Sequence, residues 1–336
     1  MSTQVVLLGH GGGGRLMAEL IERVFLPRLG SPELARGDDS AVLPYPGGRL
    51  AFTTDSFVVE PVEFPGGDIG RLAVCGTVND LAAGGAVPRH LSAAFILEEG
   101  LPLDLLGRLV ASMAATAREA GVRIVAGDTK VVPHGKADRI FITTSGVGPI
   151  PDGIAVSGRN ARPGDAVLCS GALGDHGMAV MVAREGLGFA GCIESDVAPL
   201  NGLVQTLHAL GPALHVLRDP TRGGAAAALN EIAAQSGVAI RIEEGAVPVR
   251  DPVRVACELL GMDPLYVANE GKMLAIVAPE AADAALAAWR AHPLGREAVR
   301  LGEVLEGPAG RVTVRTAFGT HRVLDRPLGE QLPRIC

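Results

Sequence analysis

Acidic residues occur on four short segments in the first half of the chain, and each segment offers oxygen ligands. The acids are Asp38 and Asp39, then Asp55, Asp80 and Asp128. Carboxylates without His or Cys suit Mg²⁺, which usually takes its remaining oxygens from a nucleoside triphosphate. Each acid taken singly is better explained as a turn former or a cap. Only the four segments together favour a site for Mg²⁺ and a nucleotide.

A lysine follows the last of these acids at a spacing that could serve phosphoryl transfer. The chain has only three lysines, Lys130, Lys136 and Lys272, among its 30 basic residues. A lysine kept where arginine is the rule weakly indicates a position that needs a compact ammonium. In an extended strand Asp128 and Lys130 project to the same side. Lys130 would then neutralise phosphate charge during transfer.

The chain ends on a cysteine, Cys336, which could act as a nucleophile on a mobile tether. Its own α-carboxylate opposes ionisation of the thiol while the nearby Arg334 favours it, so the thiol pKa is undecided from sequence. The alternative is a frayed terminus without chemical function. A terminal thiol becomes informative only if the rest of the chain builds a site that needs it.

Two segments of the second half also carry candidate groups. Glu270 and Lys272 lie between two predicted strands, where the carboxylate is either a general base or part of a surface ion pair. Residues 218–224 begin a predicted helix with an Asp, a Thr and two Gly, which indicates an anion site, although helix capping explains much of the pattern.

Composition excludes several classes of protein. With 336 residues, 48% apolar and 3% aromatic, the chain is long enough for two domains with cores of Ala, Val and Leu. A net charge of -7 without a long basic run argues against nucleic acid as the main partner. No apolar run is long enough to predict a membrane span, and five scattered cysteines fit reduced thiols, so we expect a cytoplasmic protein.

The order of predicted elements indicates an α/β protein with a boundary in the turn-rich stretch 149–164. We divide the chain into a glycine-rich segment (1–37), a nucleotide-binding domain (38–150), an α/β domain (151–316) and a flexible tail (317–336). The second half is expected to include a helix at 200–210 and a strand at 265–268. Gly9, Gly11 and Gly14 match the fingerprint of a dinucleotide-binding fold. Such a fold needs a second strand after the first helix, whereas this chain has the turn-rich stretch 27–37 there, so we reject it.

Taken together, these segments resemble the HypE family of hydrogenase maturation factors. That family is similar to aminoimidazole ribonucleotide synthetase, selenophosphate synthetase and thiamine-monophosphate kinase, and the similarity spans essentially the whole chain. The segments that carry it are 9–14, 38–42, 54–56, 64–68, 76–80, 127–130, 219–224, 269–272 and 333–336.

The resemblance implies a fold and an activity. It implies an α/β (α+β) chain of two domains like those of aminoimidazole ribonucleotide synthetase, whose N-terminal mixed sheet forms a barrel in a homodimer. The implied enzyme is an ATP-dependent carbamoyl dehydratase that makes cyanide ligands for [NiFe]-hydrogenase. A carbamoyl group would arrive from HypF, become a thiocyanate through phosphorylation by ATP, and pass as cyanide to iron held by HypC and HypD.

The resemblance also assigns residues. It makes Cys336 the carrier, Lys130 the phosphate or oxyanion stabiliser, and Glu270 the group that removes the carbamoyl nitrogen's protons. The candidate Mg²⁺ ligands are Asp39, Asp55, Asp80 and Asp128. The candidate ATP-binding residues are Gly11, Gly13, Asp39, Asp55, Asn79, Asp80, Gly127, Asp128, Thr129 and Lys130.

Two rival hypotheses stay open at this point. A selenophosphate synthetase would place a reactive Cys near the N-terminal glycine loop, whereas the first cysteine here is Cys75. A binding protein would use the terminal motif only to dock a partner.

Overall fold

The computed structural model describes residues 14–29, 32–186, 191–329, 332 and 334–336. The predicted nucleotide-binding glycines Gly11 and Gly13 lie outside these residues. The described chain begins with α1 (Arg15–Leu20), which continues through a π-helical turn (Ile21–Phe25) into α2 (Leu26–Leu29).

A five-stranded mixed sheet forms from the first half of the chain. Its strands have the order β1-β2-β7-β5-β6, in which β5 and β6 pair parallel and the other neighbours pair antiparallel. A small hairpin of β3 and β4 lies outside it. The elements of this half are β1 (Ala41–Tyr45), β2 (Gly48–Phe57), β3 (Glu63–Phe64), β4 (Gly67–Asp68), α3 (Ile69–Ala83), β5 (His90–Glu98), α4 (Leu103–Glu119), β6 (Arg123–Val132) and β7 (Ile140–Ile150).

Helix α3 is the centre of the first half because it is buried on nearly all sides. Asp68 caps its first turn by accepting a 2.9 Å hydrogen bond from the backbone N–H of Arg71. The helix is built from small and aliphatic residues, and among its polar side chains Thr77 and Asn79 are buried. It packs against β2, β7 and α4. A buried helix of this kind can present polar groups to an interior site.

A seven-stranded sheet forms from the second half. Its order is β14-β13-β10-β12-β8-β11-β9, and among these pairs only β10 with β13 is parallel. The elements are β8 (Ala166–Cys169), α5 (Asp175–Glu185), α6 (Asn201–Gln205), β9 (Leu214–Arg218), α7 (Gly224–Ser236), β10 (Ala239–Glu243), α8 (Asp251–Leu260), β11 (Leu274–Val277), α9 (Ala282–Ala291), β12 (Val299–Leu305), β13 (Arg311–Arg315) and β14 (His321–Val323).

Two predicted elements of the second half were wrong. The strand expected at 265–268 is instead a 3₁₀ turn, Pro264–Tyr266, because the Asp263 carboxylate caps it by accepting from the backbone N–H of Leu265 at 2.9 Å. The helix expected at 200–210 ends early as α6. A 3₁₀ segment follows that is interrupted at Gly211, where φ is +53°, next to Pro212.

The stretch 317–336, predicted as a flexible tail, makes ordered contacts with the rest of the chain. Strand β14 pairs with β13, and Leu324 is fully buried. The carbonyls of Pro327 and Leu328 accept hydrogen bonds from the first residues of α1. The docked arrangement differs from the expected free segment because three of its apolar residues, Leu324, Leu332 and Ile335, are buried in the core. Its movement stays a prediction.

Throughout the described ranges, no helix combines the length and the apolar character that crossing a membrane requires.

Candidate active site

The thiol of Cys336 lies in a pocket where four parts of the fold meet. Strand β2, helix α3, the loop between β9 and α7, and the loop before β11 contribute its walls. Gly76 of α3 leaves room there, since a Cβ at this position would lie 2.7 Å from the ring of Phe57. The lining residues are Asp55, Ser56, Gly76, Asp80, Asp219, Thr221, Arg222, Glu270 and Cys336.

The last residues of the chain enter this pocket along a defined path. Leu332 and Ile335 are buried in the core, at 6% and 2% exposure. The Ile335 carbonyl lies 2.8 Å from Nε2 of His176, and the Arg334 carbonyl accepts from Nη2 of Arg184 at 2.7 Å. The Arg334 guanidinium pairs with Asp138. The structure therefore places Cys336 in an interior pocket, and its role as the carrier stays a prediction.

Glu270 lines the pocket together with the thiol, and the two groups interact. Its Oε1 is buried and has no hydrogen-bond partner among the described residues. Burial raises the pKa of Glu270 well above its usual value, and Asp219 and Asp55 raise it further. Burial, together with Glu270, likewise raises the pKa of the Cys336 thiol, which is therefore protonated in this position at neutral pH.

Asn79 fixes the loop that carries Glu270. Its amide donates to the carbonyls of Ala198 and Glu270, at 3.1 and 3.3 Å, and its oxygen accepts from the backbone N–H of Leu200 at 2.7 Å. Because this fully buried amide uses both ends on protein groups, the structure gives Asn79 a positioning role. Its predicted contact with ATP stays a prediction.

Acids that are partly or fully buried line the thiol pocket and repel one another. Burial raises the pKa of Asp80 well above its usual value, and Asp219, Asp55 and Asp39 add to the shift. Burial raises the pKa of Asp55, and it raises the pKa of Asp219 to about 6. Such a cluster is stabilised by any cation that enters it.

Cationic side chains border the cluster on one side. Arg218 pairs with Asp39 at 2.9 Å, and Asp39 also has a raised pKa because it is buried. Arg222 lines the pocket and lowers the pKa of both Asp55 and Cys336. Carboxylates, the donors that hard cations prefer, therefore lie next to arginines, the side chains best suited to phosphate.

Comparisons with known proteins assign this arrangement to a family. The AIR synthase related protein family matches with its N-terminal domain at residues 37–150 and its C-terminal domain at 162–315. The carbamoyl dehydratase HypE of Cupriavidus necator is 56% identical over 330 residues, which cover 98% of this chain and 94% of that protein. The chain belongs to the HypE family.

Two solved structures agree with this assignment. A HypE–HypF complex superimposes with a TM-score of 0.88 at 53% identity, covering 92% of this chain and 99% of the other. A hydrogenase maturation protein HypE in complex with ATP gives 0.84 at 52% identity, covering 99% and 100%. The predicted family, its carbamoyl dehydratase class and the two-domain α/β fold are confirmed. The dimer barrel and the motion of the tail stay predictions.

A second group of predicted HypE site residues lies apart from the thiol pocket. Lys130 and Asp128 occur on β6, an edge strand, with their side chains 70% and 64% exposed. The ammonium contacts both carboxylate oxygens, at 3.0 and 2.9 Å, so the same-side prediction is confirmed. Gly127 and Thr129 share this exposed strand. Within one chain, the pocket around Cys336 includes none of these residues.

Cys75, the thiol that a selenophosphate synthetase would need to use, is fully buried on α3. Burial raises its pKa well above the usual thiol value, so it is an inert core residue. The rival hypothesis of a reactive N-terminal cysteine therefore finds no support at Cys75.

Three groups of this HypE-family site were not among the predicted site residues. Asp219 and Arg222 occur in a segment that the sequence indicated only as an anion site, so its Asp-Pro-Thr-Arg-Gly-Gly pattern was the available signal. His176 follows Asp175 within a helix whose sequence gives no such signal. Its partner is a backbone carbonyl 159 residues away, which no local pattern reveals.

Proposed function

We propose that this chain uses ATP to dehydrate a carbamoyl group carried on Cys336, converting it to a thiocyanate. The observation that carries the proposal is the contact between the terminal thiol and Glu270 in a pocket of buried acids. A group attached to the sulfur would replace the thiol hydrogen and extend toward Glu270 and Arg222. The family's name and the ATP complex of a relative support this chemistry.

The reaction must turn an amide oxygen into a leaving group. The carbamoyl oxygen attacks the γ-phosphorus of ATP, its bond to the β-phosphate breaks, and ADP leaves. Loss of one N–H proton gives a C=N bond, and loss of the second as phosphate departs gives the C≡N bond. The balance is one carbamoyl thioester and ATP in, and one thiocyanate, ADP and phosphate out.

Glu270 is the proposed acceptor of the carbamoyl nitrogen's protons. Its unpartnered Oε1 provides a free lone pair inside the pocket, and its raised pKa makes it a stronger base than an exposed glutamate. Burial also keeps water from the phosphorylated intermediate, which would otherwise be hydrolysed back to the carbamoyl group.

The acids of the pocket fit Mg²⁺ by donor type and by their mutual repulsion. Within the residues that the structure describes, no three or more such side chains converge closely enough to hold a metal alone. Asp55 and Asp80 would therefore hold Mg²⁺ only together with phosphate oxygens. Asp39 is close enough to Asp80 to raise its pKa and would add negative charge near the ion. When bound, the ion neutralises phosphate charge during transfer.

We propose a homodimer in which the edge strand β6 is covered. Along this strand Ile124, Val125 and Val131 are 37%, 58% and 66% exposed, and a long apolar edge is normally paired or covered. Covering it would bring Lys130 and Asp128 out of bulk water and toward phosphate. Sedimentation of the purified chain checks this, and a monomer at micromolar concentration would contradict it.

We also propose HypF as the carbamoyl donor and iron held by HypC and HypD as the destination of the cyanide ligands. A relative of this chain has been crystallised with HypF, which supports the first step. The rest of the chemistry requires two electrons, because breaking the S–C bond of the thiocyanate gives a thiolate on Cys336 and a cyanide anion. The iron complex that accepts the carbon would supply those electrons.

The test follows the mass of Cys336. The chain is incubated with carbamoyl phosphate, ATP, Mg²⁺ and the carbamoyltransferase, and then analysed by intact mass spectrometry. The carbamoylated chain is separated from the loading mixture, and without further ATP we expect its mass to show the carbamoyl adduct. When ATP is added back, we expect an adduct lighter by one water. A Cys336→Ser variant is the control. Absence of any Cys336-dependent adduct that loses water would sink the dehydratase proposal.

A further inference from the structure

The docked chain terminus is held by its backbone and not only by its side chains. Two consecutive carbonyls, those of Arg334 and Ile335, accept hydrogen bonds from two side chains of α5. Neither contact depends on the thiol or on what it carries. These two hydrogen bonds can therefore hold the terminus whether Cys336 is unmodified, carbamoylated or cyanated.

The first of these side chains, His176, has a fixed tautomer. A carbonyl only accepts, so Nε2 of His176 carries the hydrogen and donates to Ile335 at 2.8 Å. Burial lowers the pKa of His176, which keeps the ring neutral. Nδ1 therefore accepts from the Ser195 hydroxyl at 2.8 Å, and that oxygen in turn accepts from the backbone N–H of Val197 at 3.1 Å.

The ring itself is held rigidly. His176 is fully buried and meets the ring of Phe64 edge-on, with centroids 5.4 Å apart. A donor that is oriented in advance by a second hydrogen bond loses little entropy when it binds its acceptor. The histidine therefore presents a prepared N–H to whatever carbonyl arrives.

The second side chain, Arg184, lies at the other end of the same helix. It donates from Nη2 to the Arg334 carbonyl at 2.7 Å and from Nε to the Glu60 carbonyl at 2.9 Å. The backbone N–H of Glu60 also donates to the Arg334 carbonyl, at 3.2 Å. One arginine thus joins the terminus to the loop before β3.

The terminus needs such a restraint because its backbone is strained. Arg334 has φ of +53°, a left-handed conformation that residues other than glycine rarely adopt. A strained residue persists only where surrounding contacts fix it. Released from α5, this turn would relax and withdraw the thiol from Glu270.

We propose that His176 and Arg184 are positioning residues that clasp the carbonyls of Ile335 and Arg334 and thereby hold Cys336 inside the pocket. The inference rests on the proposed function, in which the terminus must be released to receive a carbamoyl group and docked to lose water. The clasp sets the balance between those two positions.

Alkylation of the thiols by iodoacetamide measures the clasp without ATP or any partner protein. Docked, Cys336 has Glu270 beside it and a raised pKa, so it reacts slowly. His176→Leu and Arg184→Ala should each raise the labelling rate of Cys336 about tenfold, since each removes one hydrogen bond from the docked state. Peptide mass spectrometry follows each cysteine separately.

Conservative variants distinguish a lost donor from a general disturbance. His176→Gln keeps an N–H near the position of Nε2, and Arg184→Lys keeps a cation that reaches Arg334, so both should label nearly as slowly as the parent. Arg254→Ala is the matched control, because the side chain of this exposed arginine of α8 donates to the nearby Val249 carbonyl and lies on a different helix from the clasp. Exposed Cys192 serves as the internal reference.

Two results would overturn the clasp. Unchanged labelling of Cys336 in both His176→Leu and Arg184→Ala would show that neither side chain holds the terminus. A parallel rise at Cys192 would assign the effect to the loop that carries Ser195. If His176→Leu does not fold, the partly exposed Arg184 still decides the question.

A kinetic readout separates positioning from the chemistry. Carbamoylation by the transferase should be as fast or faster in the clasp variants, while dehydration of the loaded chain should slow about tenfold. A parent chain that shows clasp-dependent labelling but never forms thiocyanate would defeat the proposed function and leave the clasp standing. A parent chain that forms thiocyanate, while the clasp variants label Cys336 at the parent rate, would defeat only the clasp.

Discussion

The thiol pocket and the edge strand β6 carry the same kinds of residue in opposite surroundings. Each has an acid beside a cationic group: Asp55 near Arg222 in the pocket, and Asp128 bound to Lys130 on β6. In the pocket burial raises the pKa of Asp55, whereas on β6 the hydrogen bond from Lys130 lowers the pKa of Asp128. Residue type alone therefore does not define a reactive acid.

The difference teaches where each region gets its reactivity. The pocket is prepared within one chain, because four segments distant in sequence remove its acids from water. Strand β6 is open to solvent, where charges are screened and an ion pair contributes little. Its lysine can act strongly on phosphate only after something else covers it.

The largest expected effect is the loss of the base in the pocket. Glu270→Gln keeps the shape and the contact with Cys336 but cannot accept a proton at neutral pH. Removal of a general base typically costs about 10² to 10⁴ in rate. We expect conversion of the carbamoyl adduct to thiocyanate to fall by that amount, as measured by intact mass over time.

Its matched control is Glu297→Gln, at a glutamate that is 57% exposed and pairs with Arg250. That variant should convert at the parent rate. If Glu270→Gln also does so, the proton acceptor is another group, and the free Oε1 has no catalytic meaning.

A smaller loss is expected on the edge strand. Lys130→Ala should slow conversion about 100-fold, because it removes one charge that stabilises the transferring phosphoryl group, and should leave the melting temperature nearly unchanged. Lys136→Ala, at another exposed lysine, is the control. A normal rate in Lys130→Ala would confine the chemistry to the thiol pocket and end the proposed role of β6.

Sequence patterns predicted the elements better than their environment. The helix that carries Asn79 and Asp80 formed at 69–83, where the pattern of small residues placed it. The strand expected at 122–126 is longer, and β6 continues through Asp128 and Lys130. Periodicity reports which residues share a face, not what covers that face. The exposure of β6 and the burial of Asp55 depend on packing between distant segments.

The site itself was predicted in part for the same reason. Glu270 and Cys336 stand out locally, as an acid in a tight turn and as a terminal thiol, and the structure brings them together. Asp219 and His176 acquire meaning only from groups far along the chain. The docked terminus was missed because its few apolar residues are spaced irregularly, so no helix or strand signal marks them.

The smallest expected effect is a change in the free energy of unfolding, and it tests the electrostatic repulsion among the acids of the pocket. The folded-state pKa of Asp219 is about 6, against 3.8 for the unfolded chain, so ionising this residue opposes folding. The stability that the protonated form of Asp219 contributes is fully present below pH 3.8 and is lost as pH rises through about 6. Asp219→Asn cannot ionise, so it should be more stable than the parent above pH 6, by about 2 to 3 kcal/mol at roughly 1.4 kcal/mol per pKa unit.

Chemical denaturation at a series of pH values measures this gain, which should shrink toward zero as pH falls to about 4. Asp128→Asn on β6 is the contrasting variant. The pKa of Asp128 is lowered, so its removal cannot stabilise the chain in this range. If Asp219→Asn is more stable but dehydrates the carbamoyl group more slowly, the acids of the pocket repel one another because the site must bind cations. That repulsion then lowers the stability of the parent chain. Equal stability of Asp219→Asn and the parent at pH 7.5 would mean that water or a resident cation already relieves the charge.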